Sequence, residues 1–153
     1  MSAFSVKAGD GVQISKTVSE SDVYLFASIT GDLAPNHVDE VFMQNSPYKR
    51  RIAHGALLVG FMSSASTLLV AKFTRLDAER LPASLGFDRI RFIAPVFIGD
   101  TITVTYTIVA LDESRNRTTS DIVVKNQMGT NVAVAQHILK WVDATSGGTD
   151  GVT

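Results

Sequence analysis

Cysteine is absent from the 153 residues, which excludes a disulfide scaffold, a thiolate nucleophile and every Cys-ligated zinc or iron–sulfur site. An excess of either charge is missing too. Fourteen Lys+Arg face 15 Asp+Glu, leaving a formal charge of −1, a balance that argues against a nucleic-acid binder. Met1 to Asp10 contains no basic segment leading into an apolar run, so no secretory signal is expected and the protein is read as cytoplasmic. Asn116-Arg117-Thr118 is then only a formal glycosylation acceptor. A convincing membrane span is lacking as well. Ile52 to Ala71 carries no formally charged residue, but it holds His54, Gly55, Gly60, Ser63, Ser64, Ser66 and Thr67. That content is too polar for a span and suits a buried helix.

What is present is the composition of a soluble globular domain, 45% hydrophobic and 19% charged. The length fits one domain, read as residues 1–142, followed by a small polar tail over 143–153. After an alternating run from Val12 to Lys16, Ser19 is placed to cap a helix with Val23, Phe26, Ala27 and Thr30 at helical spacing, closed by Gly31. A second short helix after Asp39 is expected to bury Val41, Phe42 and Met43 before Pro47. From His54 to about Phe73, Leu57, Leu58, Phe61, Met62, Ala65, Leu68 and Leu69 form one broad stripe. The period then changes. Thr101 to Ile108 alternates polar and apolar without a fault, and further strands are read at Leu85–Ile93, Thr118–Lys125 and Asn131–Trp141. The fold class is α+β: a curved antiparallel sheet wrapped around a long central helix.

Familiar catalytic motifs are missing: there is no G-x-S-x-G elbow, no phosphate loop, no G-x-G-x-x-G turn and no H-E-x-x-H pair. His37-Val38-Asp39 offers two metal ligands with no complementary cluster, so no metal site is expected. What stands out is Gly31-Asp32-Leu33-Ala34-Pro35-Asn36-His37-Val38-Asp39. Pro35 stiffens a loop that carries a carboxylate and an imidazole, a pair suited to general acid–base work. Asp32 capping a turn, with His37 packed at its edge, accounts for the same residues. Gly55, at the start of the long helix, presents an N–H at the positive end of the macrodipole, a donor for a carbonyl oxygen gaining charge. A glycine needed for close packing or a tight turn is the alternative.

These two features resemble a known family. Asp32 to His37, then Arg51-Ile52-Ala53-His54-Gly55-Ala56-Leu57-Leu58 and Arg91-Phe-Ile-Ala-Pro-Val-Phe-Ile-Gly-Asp-Thr101, look like the MaoC-like dehydratases. More narrowly, they look like the (R)-specific enoyl-CoA hydratases, and the resemblance covers roughly residues 5 to 142. It implies a hot-dog fold and a hydro-lyase that reversibly adds water to a trans-2-enoyl thioester of coenzyme A or acyl carrier protein. It implies no metal or redox cofactor and at least a homodimer. Asp32 and His37 match the catalytic pair, and the Gly55 N–H matches the oxyanion donor. Ser63 matches a serine near the pocket, and Asn36 and His54 join it as substrate-contact candidates. The family's loop reads G-D-x-N-P-x-H-x-D; here Ala34 replaces the asparagine and Asn36 appears after the proline, a change that bears on substrate choice. Lys49, Arg50 and Arg51 are candidates for coenzyme A phosphates, against a solvated surface run; Arg89 and Arg91, alternating on one strand face, are similar candidates, and His137 is read as structural. An acyl-CoA thioesterase on the same fold, or a non-catalytic acyl-CoA-binding subunit of a heteromeric dehydratase, are the alternative functions.

Overall fold

A computed structural model describes residues 5–73 and 80–143. The elements run β1 (Gly11–Thr17), α1 (Glu20–Thr30), α2 (Pro35–Val38), α3 (Glu40–Gln44), α4 (Gly55–Phe73), β2 (Arg80–Phe92), β3 (Thr101–Asp112), β4 (Arg117–Lys125) and β5 (Asn131–Asp143). The strands form one antiparallel sheet in the order β1-β3-β4-β5-β2. The consecutive β3, β4 and β5 make the expected meander. The hot-dog architecture implied by the sequence is the one observed.

Alternation dictates how the sheet meets the helix. Ile102, Val104, Tyr106 and Ile108 of β3 are buried, and the intervening threonines face outward. Three of the outward threonines of β3 are paired with β1: Thr17 and Thr101, Ser15 and Thr103, and Gln13 and Thr105 hydrogen-bond side chain to side chain at 2.7, 2.8 and 2.9 Å. Polar cross-strand pairs of this kind add a few tenths of a kcal/mol each, about 0.2–1. Against the inner face lies α4, which buries Leu58, Met62, Ala65, Ser66 and Leu69. By length and composition this helix would suffice to cross a membrane; here that buried stripe serves the core. Leu68, assigned to the same stripe, is 43% exposed.

Two local rules set the helix ends. Ser19 and Asp22 form a capping box at the start of α1, and Gly31 closes it in the left-handed region at φ 78°. Thr30 is not part of the apolar face: it is exposed, and its hydroxyl donates to the Phe26 carbonyl at 2.7 Å. In α3 only Met43 is buried, at 2% exposure, whereas Val41 and Phe42 stand at 72% and 56%. One turn of helix has too narrow a face to bury three consecutive residues.

Strand β2 is longer than the expected Leu85–Ile93. It starts at Arg80 and pairs with β5, with irregularities between Ser84 and Gly86 and between Asp88 and Arg91. Pro82 is tolerated because β2 is an edge strand. Arg89 sits at φ 53° inside the second bulge, which interrupts the alternation expected to put Arg89 and Arg91 on one face. Strand β5 reaches Asp143, whose carboxylate pairs with Arg80 at 3.1 Å, so the first residue assigned to the tail belongs to the sheet; the rest, 144–153, lies outside the described residues.

His137 is fully buried, its nitrogens 2.9 Å from the Tyr106 hydroxyl and 2.8 Å from that of Ser84, with Phe87 stacked at 4.0 Å. A neutral imidazole satisfies both hydroxyls, one as donor and one as acceptor. Burial lowers the His137 pKa to about 4 and raises that of Tyr106 to about 12. The unfolded chain protonates His137 near pH 6.5 while the folded one resists, so this contribution is complete above that value and drains away on acidification. From pH 7 to pH 4 the loss is about 3 kcal/mol. Denaturant titrations across that range are expected to show it, with a shallower pH dependence in His137→Phe; an equal slope in the variant assigns the loss elsewhere.

Candidate active site

The loop after α1 is built by its own short-range bonds. The Asp32 N–H donates to the Thr30 hydroxyl at 3.2 Å, and the Ala34 N–H lies 3.4 Å from Asp32 Oδ1. Pro35 then occupies the first position of α2, where its missing N–H costs nothing. This single turn, which helical periodicity is too short to reveal, lifts His37 out of solvent to 7% exposure.

The segment before α4 is clasped from both sides. The Ala53 N–H donates to the Val96 carbonyl at 2.7 Å, and Ile52 bridges to Phe97. On the other side the Ile52 N–H donates to the Asn36 carbonyl at 3.0 Å, while the Ile52 carbonyl accepts from His37 Nδ1 at 2.8 Å. The Pro95 to Asp100 segment that provides Val96 turns through Gly99 at φ 95°, and Asp100 accepts from the Phe97 N–H at 2.9 Å. That motif therefore positions the helix start instead of supplying reactive groups.

Donation through Nδ1 leaves His37 Nε2 with its lone pair, the tautomer a general base needs. The Asn36 amide lies 3.2 Å from that nitrogen, so the asparagine displaced along the loop acts on the histidine itself. Burial holds the His37 pKa below its ordinary 6.5, and the charge of His54 pushes the same way against the Ile52 carbonyl and Asp32. His54, 1% exposed, stacks on His37 with ring centres 3.7 Å apart, and its Nε2 donates to the Asp32 carbonyl at 3.0 Å. Donor atoms of Asp32, His37 and His54 all lie within 4.8 Å of one another. They form a cluster of three candidate ligands that sequence spacing did not assemble, with Asp32 and His54 in place of Asp39. The two rings are stacked, 26° from parallel.

Gly55 opens α4, and its N–H has no acceptor one turn back within the helix. A Cβ there would stand 2.6 Å from ring carbons of Phe92, so a larger residue would have to displace that ring. Gly55 lines a cavity of about 270 Å³ with Ile52, Leu58, Phe92 and Pro95. Ser63 lies elsewhere: it borders a second cavity with Ser66, Thr67 and Ser84, about 12 Å along the helix axis from Gly55. The structure does not bring it to the Asp32–His37 pair.

The basic cluster divides. Arg51 is held by Glu20, by Glu40 at 3.0 Å and by the Tyr24 hydroxyl at 3.0 Å, which raises its pKa and removes it as a phosphate ligand. Arg50 lies over the Phe97 ring at 3.9 Å, and Lys49 is exposed at φ 62°.

With three histidines in the chain, imidazole ¹⁵N spectra resolve each one. His37 is expected as the Nδ1–H tautomer, titrating below 6.5; a midpoint at or above that value removes burial as the controlling effect.

The family model described as a MaoC like domain matches residues 5–131. Among curated relatives, the (R)-specific enoyl-CoA hydratase of Rhodospirillum rubrum is 41% identical over 107 residues, 69% of this chain and 68% of that protein. That of Aeromonas caviae is 29% identical over 92% of this chain and 98% of its own length. The solved structure of the A. caviae (R)-hydratase involved in PHA biosynthesis superposes with a TM-score of 0.78 at 28% identity, covering 90% of this chain and 98% of the other. With these residues in these places, the chain belongs to the MaoC-like dehydratase family.

Proposed function

We propose that this chain is a hydro-lyase that reversibly adds water across the double bond of a trans-2-enoyl-CoA to give the (R)-3-hydroxyacyl-CoA. Hydratase chemistry is supported by relatives named (R)-specific enoyl-CoA hydratase and 3-hydroxybutyryl-CoA dehydratase. The observation that carries the assignment to particular residues is the convergence of Asp32 and His37 beside the start of α4.

An enoyl thioester accepts water at its β-carbon once its carbonyl is polarised. In this reading the thioester oxygen takes the Gly55 N–H, and enolate charge gathers there as the C–O bond forms. A preorganised donor of this kind is worth about 3 kcal/mol in the transition state. Water lies between the Asp32 carboxylate and His37 Nε2, which displaces the Asn36 amide as its partner. Hydroxide is delivered to the β-carbon, the proton passes through the pair to the α-carbon, and no net proton is released. Proton transfer by positioned groups contributes about 10²–10⁴-fold. The step needs no metal or redox cofactor. Lys49 and Arg50 remain as cations for the coenzyme's phosphates.

The outer side of β2 is open in the single chain, with Leu81 and Phe92 56% and 53% exposed. A second copy joined along this edge would cover that surface and bring the subunit boundary to Phe92, beside the cavity. A charge at the edge, Leu81→Glu, is expected to shift sedimentation from dimer toward monomer; a wild-type monomer removes this part of the proposal.

Loss of the conjugated thioester absorbance with crotonyl-CoA tests the reaction. Asp32→Asn and His37→Ala are each expected to lower kcat/KM by at least ~10²-fold while retaining the fold. Free coenzyme A without hydrated product would establish a thioesterase instead, and wild-type activity in both variants would remove the pair from the mechanism.

A further inference from the structure

His54 touches more of the site than its volume requires. It precedes Gly55 in the chain, donates through Nε2 to the Asp32 carbonyl at 3.0 Å, and stacks on His37 at 3.7 Å. Phe26 closes its other side at 4.8 Å. Its Nδ1 is buried without a hydrogen-bond partner, a cost that a phenyl ring filling the same space would avoid. Packing alone therefore does not account for an imidazole at this position.

We infer that His54 is a positioning residue, which holds the Asp32 loop and the His37 ring in register with the Gly55 N–H. Asp32 is exposed, and among the described residues the hydrogen bond its side chain accepts is the long one from the Ala34 N–H at 3.4 Å. The bond from His54 fixes its main chain from beneath. The stack sets the tilt of the His37 ring, which is otherwise left to the Ile52 carbonyl bond once a water takes the place of the Asn36 amide at Nε2. One rigid side chain thus relates three groups that come from the α1–α2 loop, α2 and α4. The inference rests on the hydratase reading for its kinetic consequences and on geometry alone for its structural ones.

Three substitutions separate the two contacts. His54→Phe keeps the ring and loses the donor, His54→Gln keeps an N–H near the Nε2 position and loses the stack, and His54→Ala loses both. Each is followed by kcat and KM for crotonyl-CoA and by the ¹⁵N imidazole resonances of His37. The expected result is a fall in kcat of ~10-fold in Phe and Gln and ~10²-fold in Ala, with KM within ~3-fold. The His37 resonances should shift in every variant, with Gln and Phe each restoring part of what Ala loses. Unchanged kcat and unchanged His37 resonances in the folded Phe and Gln variants would overturn the inference. If wild type hydrates no enoyl thioester, the functional reading falls, and the His37 resonances still decide the positioning role.

Discussion

The architecture of the site depends on the clasp around Ile52 and Ala53. Three hydrogen-bonding groups of two adjacent residues are divided between the Val96 turn and the Asn36–His37 turn. Hydrogen bonds have limited reach and preferred direction, so this short stretch ties the start of α4 to the sheet on one side and to the Asp32–His37 loop on the other. Without it the histidine, the carboxylate and the helix N-terminus would belong to elements with no common reference. With it, a helix dipole, an imidazole of fixed tautomer and a carboxylate share one small volume.

The rest of the fold serves to make that clasp rigid. Alternation along β3 and the apolar stripe of α4 bury a continuous core, and the capping box and Gly31 set where α1 stops. Burial then acts on the chemistry of His37, whose pKa is lowered by removal from water while its Nε2 stays free of a proton beside the Asn36 amide. Arg51, whose guanidinium gathers Glu20, Glu40 and Tyr24, fastens α1 and α3 together around the loop, a structural task for a residue whose charge suggested a ligand.

How much was legible follows from the range of each interaction. Thr101 to Ile108, the Ser19 cap and Gly31 are decided by neighbours within a few residues, and they are found where the pattern puts them. Asp32 and His37 were readable as a pair because one proline-stiffened loop carries both. Strand β2 was blurred because Pro82, Gly86 and the bulge at Arg89 break its period. The stack of His54 on His37 joins segments whose separation carries no periodic signal. The partners of Arg51, and the distance of Ser63 from the pair, likewise come only with tertiary structure.

The hydroxyl ladder between β1 and β3 reaches across most of the chain: Gln13 and Thr105 are 92 positions apart. Every residue of the site lies inside that span. Long loops close slowly because entropy is lost before contacts are gained, whereas the β3–β4–β5 meander closes through short turns. The order of assembly is therefore built into the topology: the meander can form first, and β1 is sealed onto it over a long detour that contains the whole site. A chain emerging from synthesis has made Asp32 and His37 long before the strand that pairs with β1 exists, so the pair gains its sheet support only after most of the protein is complete.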